Sequence, residues 1–488
     1  MQWNKKYFIS LVVCLISTLL NAQQAEGFSS SGMQTGIESV VSASAIDSAA
    51  KSSFIVRDIY ISGNKKTRDQ IILREIPFKK GDYYQLQALV QKFEHAQQQL
   101  MNTSLFHEVV VALKSFEGYN VDILITVKER WYIWPIPYFN IVSRNFNEWV
   151  NEHDASLKRV NYGLKLTHNN VSGRMDKLRF SITNGYTRQL GLNYQRPYFE
   201  KSMKWGFNVG INAGKNRDVS YNTINNKAAI LDSADQYVHS FFRANAEVTY
   251  RRAIKTIHRF GFAYTHESVG DTVVQLNPSF YNEGKSSISF PELYYSVSYL
   301  NQDYNPYPLQ GYAGEFTISK KGFNKDVNMW QLTAKGSGTW PLSRKFYFNA
   351  RAVGSVKLPF EQPFYNQRFL GYNDMEMQGY EMYIVDGVAG GYVKATLGRE
   401  LFNFNINLPP LKYTKVNKVP FRIYGKMYGN AGYVHNPFPN GNSLANKVLF
   451  SGGFGIDIIT LYDFVIKLEY SFNPLGQNGL YLHRKNQF

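Results

Sequence analysis

Between residues 131 and 488 the chain consists mainly of short segments in which apolar and polar residues alternate. In the segment 176–183, leucine, phenylalanine and isoleucine occupy alternate positions, and the segments 243–251 and 464–472 follow the same pattern. Neighbouring side chains of a strand point to opposite faces, so each segment would form a strand with one apolar and one polar face. This pattern is typical of a transmembrane β-barrel, whose strands face lipid outside and a polar lumen inside, although soluble β-sandwiches alternate as well.

Sixteen such strands can be counted, an even number as in bacterial single-chain barrels. Their predicted starts lie near residues 136, 159, 176, 187, 202, 235, 256, 288, 312, 327, 345, 389, 420, 447, 462 and 479. If the first strand rises from the periplasm, residues 358–388 are the sixth extracellular loop, which we call loop six. The sequence therefore predicts a transmembrane β-barrel of about sixteen antiparallel strands over residues 131–488.

The first residues predict export from the cytoplasm. Two lysines precede an apolar run from Phe8 to Leu20, and this is the pattern of a signal peptide over residues 1–22. The only cysteine, Cys14, lies inside it, so the exported chain would contain neither a disulfide nor a thiolate site. Residues 23–53 are rich in Ser, Ala and Gly and are predicted to be a flexible lead-in.

The composition fits an exported membrane protein without helical spans. Aromatic residues make up 16% of the chain, and no later run of about 18 apolar residues occurs. In the cytosol, the net charge of +17 would suggest nucleic acid as a partner. In an exported chain the expected counterpart is an anionic lipid surface, so no nucleic acid is expected. The predicted location is the outer membrane of a Gram-negative bacterium.

Residues 54–130 are predicted to form a small α+β domain. FIVRDIYISGN alternates and ends at a turn, TRDQIILREI begins with Thr67 as the predicted N-cap of a helix, and QLQALVQKFEHAQQQLM places apolar residues at helical spacing. HEVVVALKS and YNVDILITVKER follow as two strands joined through Glu117 and Gly118. The predicted order is strand, helix, helix, strand, strand (βααββ).

This order and three motifs resemble a POTRA domain, the periplasmic module of outer-membrane assembly proteins. The motifs are I-x-G-N-x-x-T at residues 61–67, L-F-x-x-V at residues 105–109 and V-K-E-R at residues 127–130. The resemblance implies that the domain lies in the periplasm and receives client chains. β-Augmentation, in which an extended client pairs with an exposed sheet edge, would allow this without sequence preference.

Nearly the whole mature chain resembles the BamA/TamA-like family of POTRA–barrel proteins, also through PIP, QRPY and SGGFG at residues 135–137, 195–198 and 451–455. The resemblance implies an assembly or translocation factor that receives unfolded outer-membrane or secreted client proteins and helps to insert or export them through the barrel. Outer-membrane lipids and envelope lipoproteins are further candidate partners. The alternative interpretations are a passive outer-membrane pore and a non-catalytic scaffold subunit of an envelope complex.

In this family, loop six folds back into the lumen and carries Arg-Gly-Tyr or Arg-Gly-Phe. The matching residues are Gln378, Gly379 and Tyr380, followed by Glu381, Asp386 and Gly387. The family arginine meets an aspartate of a later strand within Phe-x-Asp-x-Gly, and the matching stretch YGNAG places Asn430 at the aspartate position. Because both partners differ together, we predict that Gln378 and Asn430 form a neutral amide pair that docks loop six.

Glu400 resembles the acid that the family carries on its twelfth strand. Its parity places it on the same face as Lys394, the predicted lumen face. It is therefore predicted to accept a hydrogen bond from Gln378 or to pair with Lys394.

A barrel seam is predicted between the first strand, near Ile136, and the last strand, at residues 479–488. Gly476 and Gly479 would weaken this closing edge because glycine has no side chain to pack, and Phe488 is the terminal aromatic residue of the last strand. A client strand would be templated at this seam.

Catalytic and metal motifs are lacking in the sequence. Gly284-Lys285-Ser286 resembles the end of a phosphate-binding loop, but the earlier glycine and the strand–helix context are missing. His266-Glu267 has no second histidine four residues after His266, and the nine histidines show no ligand spacing. We therefore expect a protein that is not an enzyme and that carries neither cofactor nor metal.

Overall fold

The computed structural model describes residues 53–142, 159–233, 235–282, 284–372, 375–407, 418–439, 441–460, 463–476 and 478–483. The predicted signal peptide, nearly all of the predicted lead-in and Phe488 lie outside the described residues. Within the described part of the chain, no helix is long and apolar enough to cross a membrane.

Residues 53–129 form an α+β domain. Its elements are β1 (Ser53–Ser62), α1 (Asp69–Glu75), β2 (Tyr83–Gln85), α2 (Leu86–Asn102), β3 (Phe106–Glu117) and β4 (Asn120–Glu129). The sheet has the order β2-β1-β4-β3, with β1 parallel to β4 and the other pairs antiparallel. The short strand β2 is an addition to the predicted order, and the βααββ arrangement is otherwise confirmed.

The predicted N-cap of α1 is wrong. Arg68 is the residue that precedes the helix, and no side chain caps the helix start. The hydroxyl of Thr67 instead lies 3.0 Å from the hydroxyl of Tyr132 and accepts a hydrogen bond from Asn170 Nδ2 at 2.9 Å. Capping rules consider the local backbone alone, whereas Tyr132 and Asn170 belong to the part of the chain that forms the barrel.

The core of the α+β domain lies between its helices and one face of its sheet. Helix α2 buries Leu89, Ala96 and Leu100, which share one face because a helix turns once in about 3.6 residues. These residues belong to the same buried cluster as Ile123 and Ile125 of β4. The one-faced pattern of the helix thus supplies part of the helix side of this core.

Sixteen antiparallel strands follow in one sheet, ordered as they occur in the chain. They are β5 (Ile133–Ile141), β6 (Val160–Asn169), β7 (Lys177–Gly185), β8 (Thr187–Arg196), β9 (Trp205–Asn216), β12 (His239–Tyr250), β13 (Thr256–Val269), β14 (Ser287–Gln302), β15 (Gly311–Lys321), β16 (Met329–Pro341), β17 (Phe346–Leu358), β18 (Ala389–Asn407), β19 (Lys418–His435), β20 (Val448–Thr460), β21 (Phe464–Phe472) and β22 (Gly479–His483). Between β9 and β12, the strands β10 (Asp218–Ile224) and β11 (Lys227–Asp232) form a separate hairpin. Two short helices, α3 (Asp271–Leu276) and α4 (Phe364–Gln367), lie in the loops before β14 and β18.

The predicted number of barrel strands is confirmed, and the strand starts agree within a few residues. The largest difference is at the sixth barrel strand, which is predicted near residue 235 and begins at His239. The predicted faces are also found on β21. Leu468 and Tyr470 are exposed on the outer face, while Glu469 and Ser471 are fully buried on the lumen face.

The first and last barrel strands are the ends of the sheet. Among the described residues, β5 pairs only with β6 and β22 pairs only with β21. Each therefore has backbone hydrogen-bonding groups on one side that no neighbouring strand of the described sheet uses. We call β5 and β22 the seam strands.

Buried ion pairs attach the α+β domain to one rim of the barrel, which we call the domain-side rim. Arg251, between β12 and β13, lies 2.5 Å from Glu75 at the end of α1, and Tyr198 donates to the same carboxylate at 2.8 Å. Arg130 lies 2.5 Å from Asp463, which precedes β21. Because Glu75 is only 2% exposed, separating it from Arg251 would leave a buried charge. The ion pairs therefore fix the domain at this rim.

Candidate functional site in the barrel lumen

Loop six connects β17 to β18 and folds back against the lumen side of the barrel. Its buried apolar residues form one cluster with residues of the strands around it. The members from loop six are Phe369, Leu370, Met377, Tyr380, Tyr383 and Val385. The members from β19, β20 and the loop between them include Val434, Leu444 and Leu449. Loop six is therefore packed into the barrel through an apolar core of its own.

The outer side of loop six is held by the hairpin β10–β11 and by the loop between β19 and β20. The backbone N–H of Ile384 donates to the carbonyl of Asn226 at 2.9 Å. The side-chain oxygen of Asn226 accepts from the backbone N–H of Leu444 at 3.0 Å. One asparagine at the tip of the hairpin thus connects three loops.

Gly379 allows the motif of loop six to approach the barrel wall. Its φ angle is +86°, in the left-handed region that favours glycine. A Cβ atom at this position would lie 2.6 Å from Cβ of Ser451 on β20. The carbonyl of Gly379 accepts a hydrogen bond from Asn473 Nδ2 at 2.5 Å. A larger residue would therefore have to move the loop away from β20.

Gln378 is buried and contacts the wall through both its side chain and its backbone. Its side-chain Nε2 donates to Oε1 of Glu469 on β21 at 2.5 Å. Its carbonyl accepts from Nδ2 of Asn430 on β19 at 3.2 Å, and also from the hydroxyl of Ser451. Gln378 is thus bound to three adjacent strands.

The predicted amide pair between Gln378 and Asn430 is therefore wrong in its atoms, although the two residues are in contact. Asn430 binds the backbone carbonyl of Gln378, and the side chain of Gln378 binds Glu469 instead. Nδ2 of Asn430 is shared between that carbonyl and the hydroxyl of Ser451, which lies 3.0 Å away. Nε2 of Gln378 donates to the carboxylate of Glu469, because a charged acceptor forms a stronger hydrogen bond than an amide oxygen. The side-chain partner of Gln378 is thus Glu469 on β21, and not the predicted amide of Asn430 on β19.

The predicted role of Glu400 is also wrong. Its carboxylate accepts a hydrogen bond from the hydroxyl of Tyr424 on β19 at 3.0 Å, and in the described chain it contacts neither Gln378 nor Lys394. Glu400 lies beside a register shift between β18 and β19, close to the domain-side rim. It is therefore remote from the motif of loop six, which reaches the wall near Asn430.

A buried group of charges, which we call the lumen cluster, lies next to Gln378. It consists of Lys426 on β19, Asp457 on β20 and Glu469 on β21. Lys426 Nζ lies 2.6 Å from Asp457 and 2.5 Å from Glu469, and the three side chains are at most 3% exposed. One cation thus holds two carboxylates from neighbouring strands, and one of them accepts the hydrogen bond of loop six.

The other residues of the loop-six motif have structural contacts. The hydroxyl of Tyr380 donates to the carbonyl of Phe450 on β20 at 3.2 Å. Asp386 is buried, and its backbone carbonyl accepts from Asn436 at 3.1 Å. A Cβ atom on Gly387 would lie 2.4 Å from Val434. Glu381 lies directly after the motif and is half-buried.

The predicted seam glycines have different positions. Gly479 is the first residue of β22 and pairs with Ser471. Gly476 lies in the turn before β22, with φ of +77° and with open space around its Cα. Gly476 thus belongs to the turn and not to the seam strand, and the weakening of the closing edge by the two glycines stays a prediction. Phe488 lies outside the described residues.

The domain-side end of the lumen is occupied by the turn between β14 and β15, which we call turn four (residues 303–310). The hydroxyl of Tyr307 donates to Asp457 of the lumen cluster at 2.9 Å and lies 2.5 Å from the hydroxyl of Tyr347. Two residues earlier, the backbone N–H of Asn305 donates to Oδ1 of Asn102, at the end of α2, at 3.0 Å. Turn four therefore touches both the α+β domain and the lumen cluster.

Sequence reasoning identified Asn430 as a residue near Gln378 but missed Glu469, which binds the Gln378 side chain from the wall. The alternation of β21 did place Glu469 on the lumen face, so the sequence offered it as one of several lumen acids. The parity of β19 likewise places Lys426 on the face of Asn430. In the sequence, turn four has the composition of an ordinary Asn- and Pro-rich turn, and nothing in it indicated that Tyr307 enters the lumen.

The fold and the occupied lumen define the class: an outer-membrane β-barrel protein with one small α+β domain in the periplasm. The profile of the Omp85 superfamily domain matches residues 170–475, and that of a POTRA domain, the surface antigen variable number repeat, matches residues 54–130. The chain belongs to the Omp85 superfamily. The domain-side rim is accordingly the periplasmic rim.

Two curated relatives are outer membrane protein assembly factors BamA. That of Buchnera aphidicola subsp. Acyrthosiphon pisum (strain APS) is 23% identical over 257 residues, 51% of this chain and 35% of that protein. That of Neorickettsia risticii (strain Illinois) is 25% identical over 288 residues, 58% of this chain and 34% of that protein. The chain thus covers about a third of the length of each. The solved structure of CdiB from Escherichia coli shares the fold, with a TM-score of 0.53 and 11% identity, covering 89% of this chain and 74% of that chain.

We expect the side chain of Gln378 to be energetically coupled to Glu469 and not to Asn430. In a double-mutant cycle, Gln378→Ala with Glu469→Gln should give a coupling free energy of about 1–3 kcal/mol, because a hydrogen bond to a carboxylate is lost. Gln378→Ala with Asn430→Ala should give a value near zero, because alanine keeps the carbonyl that Asn430 binds. Urea unfolding, followed by gel migration of unheated samples, measures both. Stronger coupling to Asn430 than to Glu469 would contradict the observed contacts.

Proposed function

We propose that this protein is an assembly or translocation factor of the outer membrane, which receives client polypeptide at its POTRA domain and passes it to the barrel seam. The observation that carries the proposal is the pair of seam strands, β5 and β22, each of which pairs on one side only in the described sheet. The backbone groups on the side of each seam strand that has no strand neighbour in the described sheet can form a ladder with an incoming strand.

The POTRA domain offers a second unpaired edge, strand β3, which forms one end of the sheet order β2-β1-β4-β3. Val110, Leu113 and Phe116 on this strand are large apolar residues with 47%, 42% and 68% of their surface exposed. An extended client could pair its backbone with β3 and place alternate side chains against these residues. Backbone pairing is tolerant of sequence, as a receptor for many clients requires.

The last strand carries an apolar surface suited to a strand that enters the membrane. Leu480 and Leu482 on β22 are 72% and 68% exposed on one face of the strand. A client strand added beside β22 would extend this apolar face, which is compatible with surrounding outer-membrane lipid. Lipid and client are therefore the partners that we propose at the seam.

A passive pore is less well supported. Loop six packs against the lumen side of the barrel, and Tyr307 of turn four is buried at the periplasmic end. A pore that conducts by diffusion needs a water-filled channel through the barrel. The contents of the lumen thus favour a role at the barrel wall.

Site-specific photo-crosslinking tests the proposal. A photoreactive residue at Val110 or Leu113 of β3, or at Leu480 of β22, is expected to crosslink to outer-membrane proteins during their assembly. Tyr60, which is 41% exposed but lies on the central strand β1, is the matched control and should give little product. Crosslinking of equal intensity at Tyr60, or an absence of client at both β3 and β22, would overturn the proposal.

A further inference from the structure

A small cavity lies between turn four and the lumen cluster. Its volume is about 80 Å³, and residues 305–308 of turn four form part of its lining. The remaining lining comes from lumen-facing residues of the barrel strands β16 to β21. A single buried water needs about 10–15 Å³, so this cavity has room for several waters or for one small polyatomic ion.

The cavity is lined by four cations and by one carboxylate. The cations are Arg351 on β17, Lys394 on β18, Lys426 on β19 and Lys467 on β21, and the carboxylate is Asp457 on β20. Arg351 and Lys394 are directly opposite each other in the β17–β18 register. Like charges in this position repel each other, so an anion placed among the cations would be stabilised.

The carboxylates near the cavity are already engaged. Asp457 is bound by Lys426 and by the hydroxyl of Tyr307, and Glu469 is bound by Lys426 and by Gln378. In the described chain, neither Lys394 Nζ nor Lys467 Nζ lies within 4 Å of a carboxylate, and the ammonium of Lys394 is 5.3 Å from the centre of the Tyr428 ring. The ammonium groups of Lys394 and Lys467 thus line the cavity without a paired carboxylate among the described residues.

Two hydroxyl groups at the cavity are also without partners. The side-chain oxygens of Ser337 and Thr396 are buried, line the cavity and have no hydrogen-bond partner among the described residues. Thr396 is only 6% exposed. A buried polar group without a partner is costly, and each hydroxyl can donate one hydrogen bond. The groups that remain available around the cavity are therefore donors and cations.

We propose that this cavity is a binding site for a small oxyanion of the phosphate or carboxylate class. Lys394 and Lys467 supply the charge, and Ser337 and Thr396 donate hydrogen bonds to the oxygens. The arrangement combines charge-assisted and neutral hydrogen bonds, which together select an anion with several acceptor oxygens.

Calorimetric titration of the full chain in detergent tests this site, with inorganic phosphate, acetate and chloride compared at equal ionic strength. We expect saturable binding of phosphate or acetate and much weaker binding of chloride. Binding of phosphate alone assigns the site to phosphate-type anions, and binding of acetate as well assigns it to carboxylates too. Absence of saturable binding by both oxyanions, or chloride binding of equal strength, would overturn the proposal.

Substitutions distinguish a specific anion-binding site from non-specific attraction of anions by the positive side chains of the lumen. The double change Lys394→Gln with Lys467→Gln should weaken oxyanion binding about tenfold or more. The matched control is Lys335→Gln, because Lys335 is paired with Glu315 at 3.7 Å and does not line the cavity. Thr396→Val keeps the charge and the shape, so it should weaken binding severalfold even if the lysine variants fold poorly. Equal losses in the control, or no loss in Thr396→Val, would contradict a specific site.

Discussion

Replacing Lys426 with Met is expected to lower the free energy of unfolding of the barrel by about 3–5 kcal/mol. Lys426 Nζ lies within 2.6 Å of both Asp457 and Glu469, and both carboxylates are almost completely buried. Without the ammonium, the two buried carboxylates lose the cation that they share. Urea unfolding of the detergent-folded protein, followed by gel migration of unheated samples, measures the loss.

Two further variants distinguish a lost ion pair from lost packing. Lys335→Met is the matched control, since the Lys335–Glu315 pair is longer and more exposed, and it should cost at most about 1 kcal/mol. The triple change Lys426→Met, Asp457→Asn and Glu469→Gln should recover most of the loss, because the buried charges are removed together. A single Lys426→Met variant that is no less stable than the control would contradict the role of the lumen cluster.

Replacing Gly379 with Val is expected to detach loop six from the barrel wall. The new Cβ would meet Ser451 at 2.6 Å, and a φ of +86° costs a branched residue about 1–2 kcal/mol in addition. The undocked fraction of the loop should therefore rise on the order of a hundredfold. Chymotrypsin cleavage after Tyr380 and Tyr383, which are buried in the docked loop, measures this fraction.

Gly336→Val is the matched control for this experiment. Gly336 lies on β16, and a Cβ atom added there would have no atom within 4 Å. The control should therefore leave the rate of cleavage in loop six unchanged. In planar bilayers we expect small, unsteady currents for the natural protein and larger ones after Gly379→Val or after deletion of residues 375–386. Slow cleavage in Gly379→Val would show that the motif does not hold the loop.

The fold was accessible from the sequence because its main signal is local. Alternation with a period of two defines each strand without knowledge of its neighbours, and sixteen strands follow from counting. The sixth loop also follows from counting, and the family resemblance adds the expectation that its residue Gln378 lies in the lumen. The helix cap at Thr67 failed because its partners, Tyr132 and Asn170, come from the barrel.

The partners inside the lumen could not be predicted in the same way. The alternation along a strand predicts whether a residue faces the lumen, but it does not predict which of the lumen-facing side chains a loop will contact. Gln378 could have met Asn430, Glu400 or Glu469, and the choice depends on how far the loop extends along the barrel axis. Tyr307 illustrates the same limit, because its contact with Asp457 joins residues 150 positions apart in the sequence.

Turn four makes the two ends of the molecule thermodynamically dependent on each other. Asn305 is hydrogen-bonded to the POTRA helix α2, and Tyr307 is hydrogen-bonded to Asp457, which shares Lys426 with the acid that binds loop six. A displacement of α2 from the rim must therefore either break the contact with Asn305 or strain the one at Tyr307. Free-energy linkage is reciprocal, so the docked POTRA helix stabilises the Tyr307 contact by the same coupling free energy by which that contact stabilises docking. The short stretch from Asn305 to Tyr307 thus couples the position of the POTRA helix to the lumen cluster.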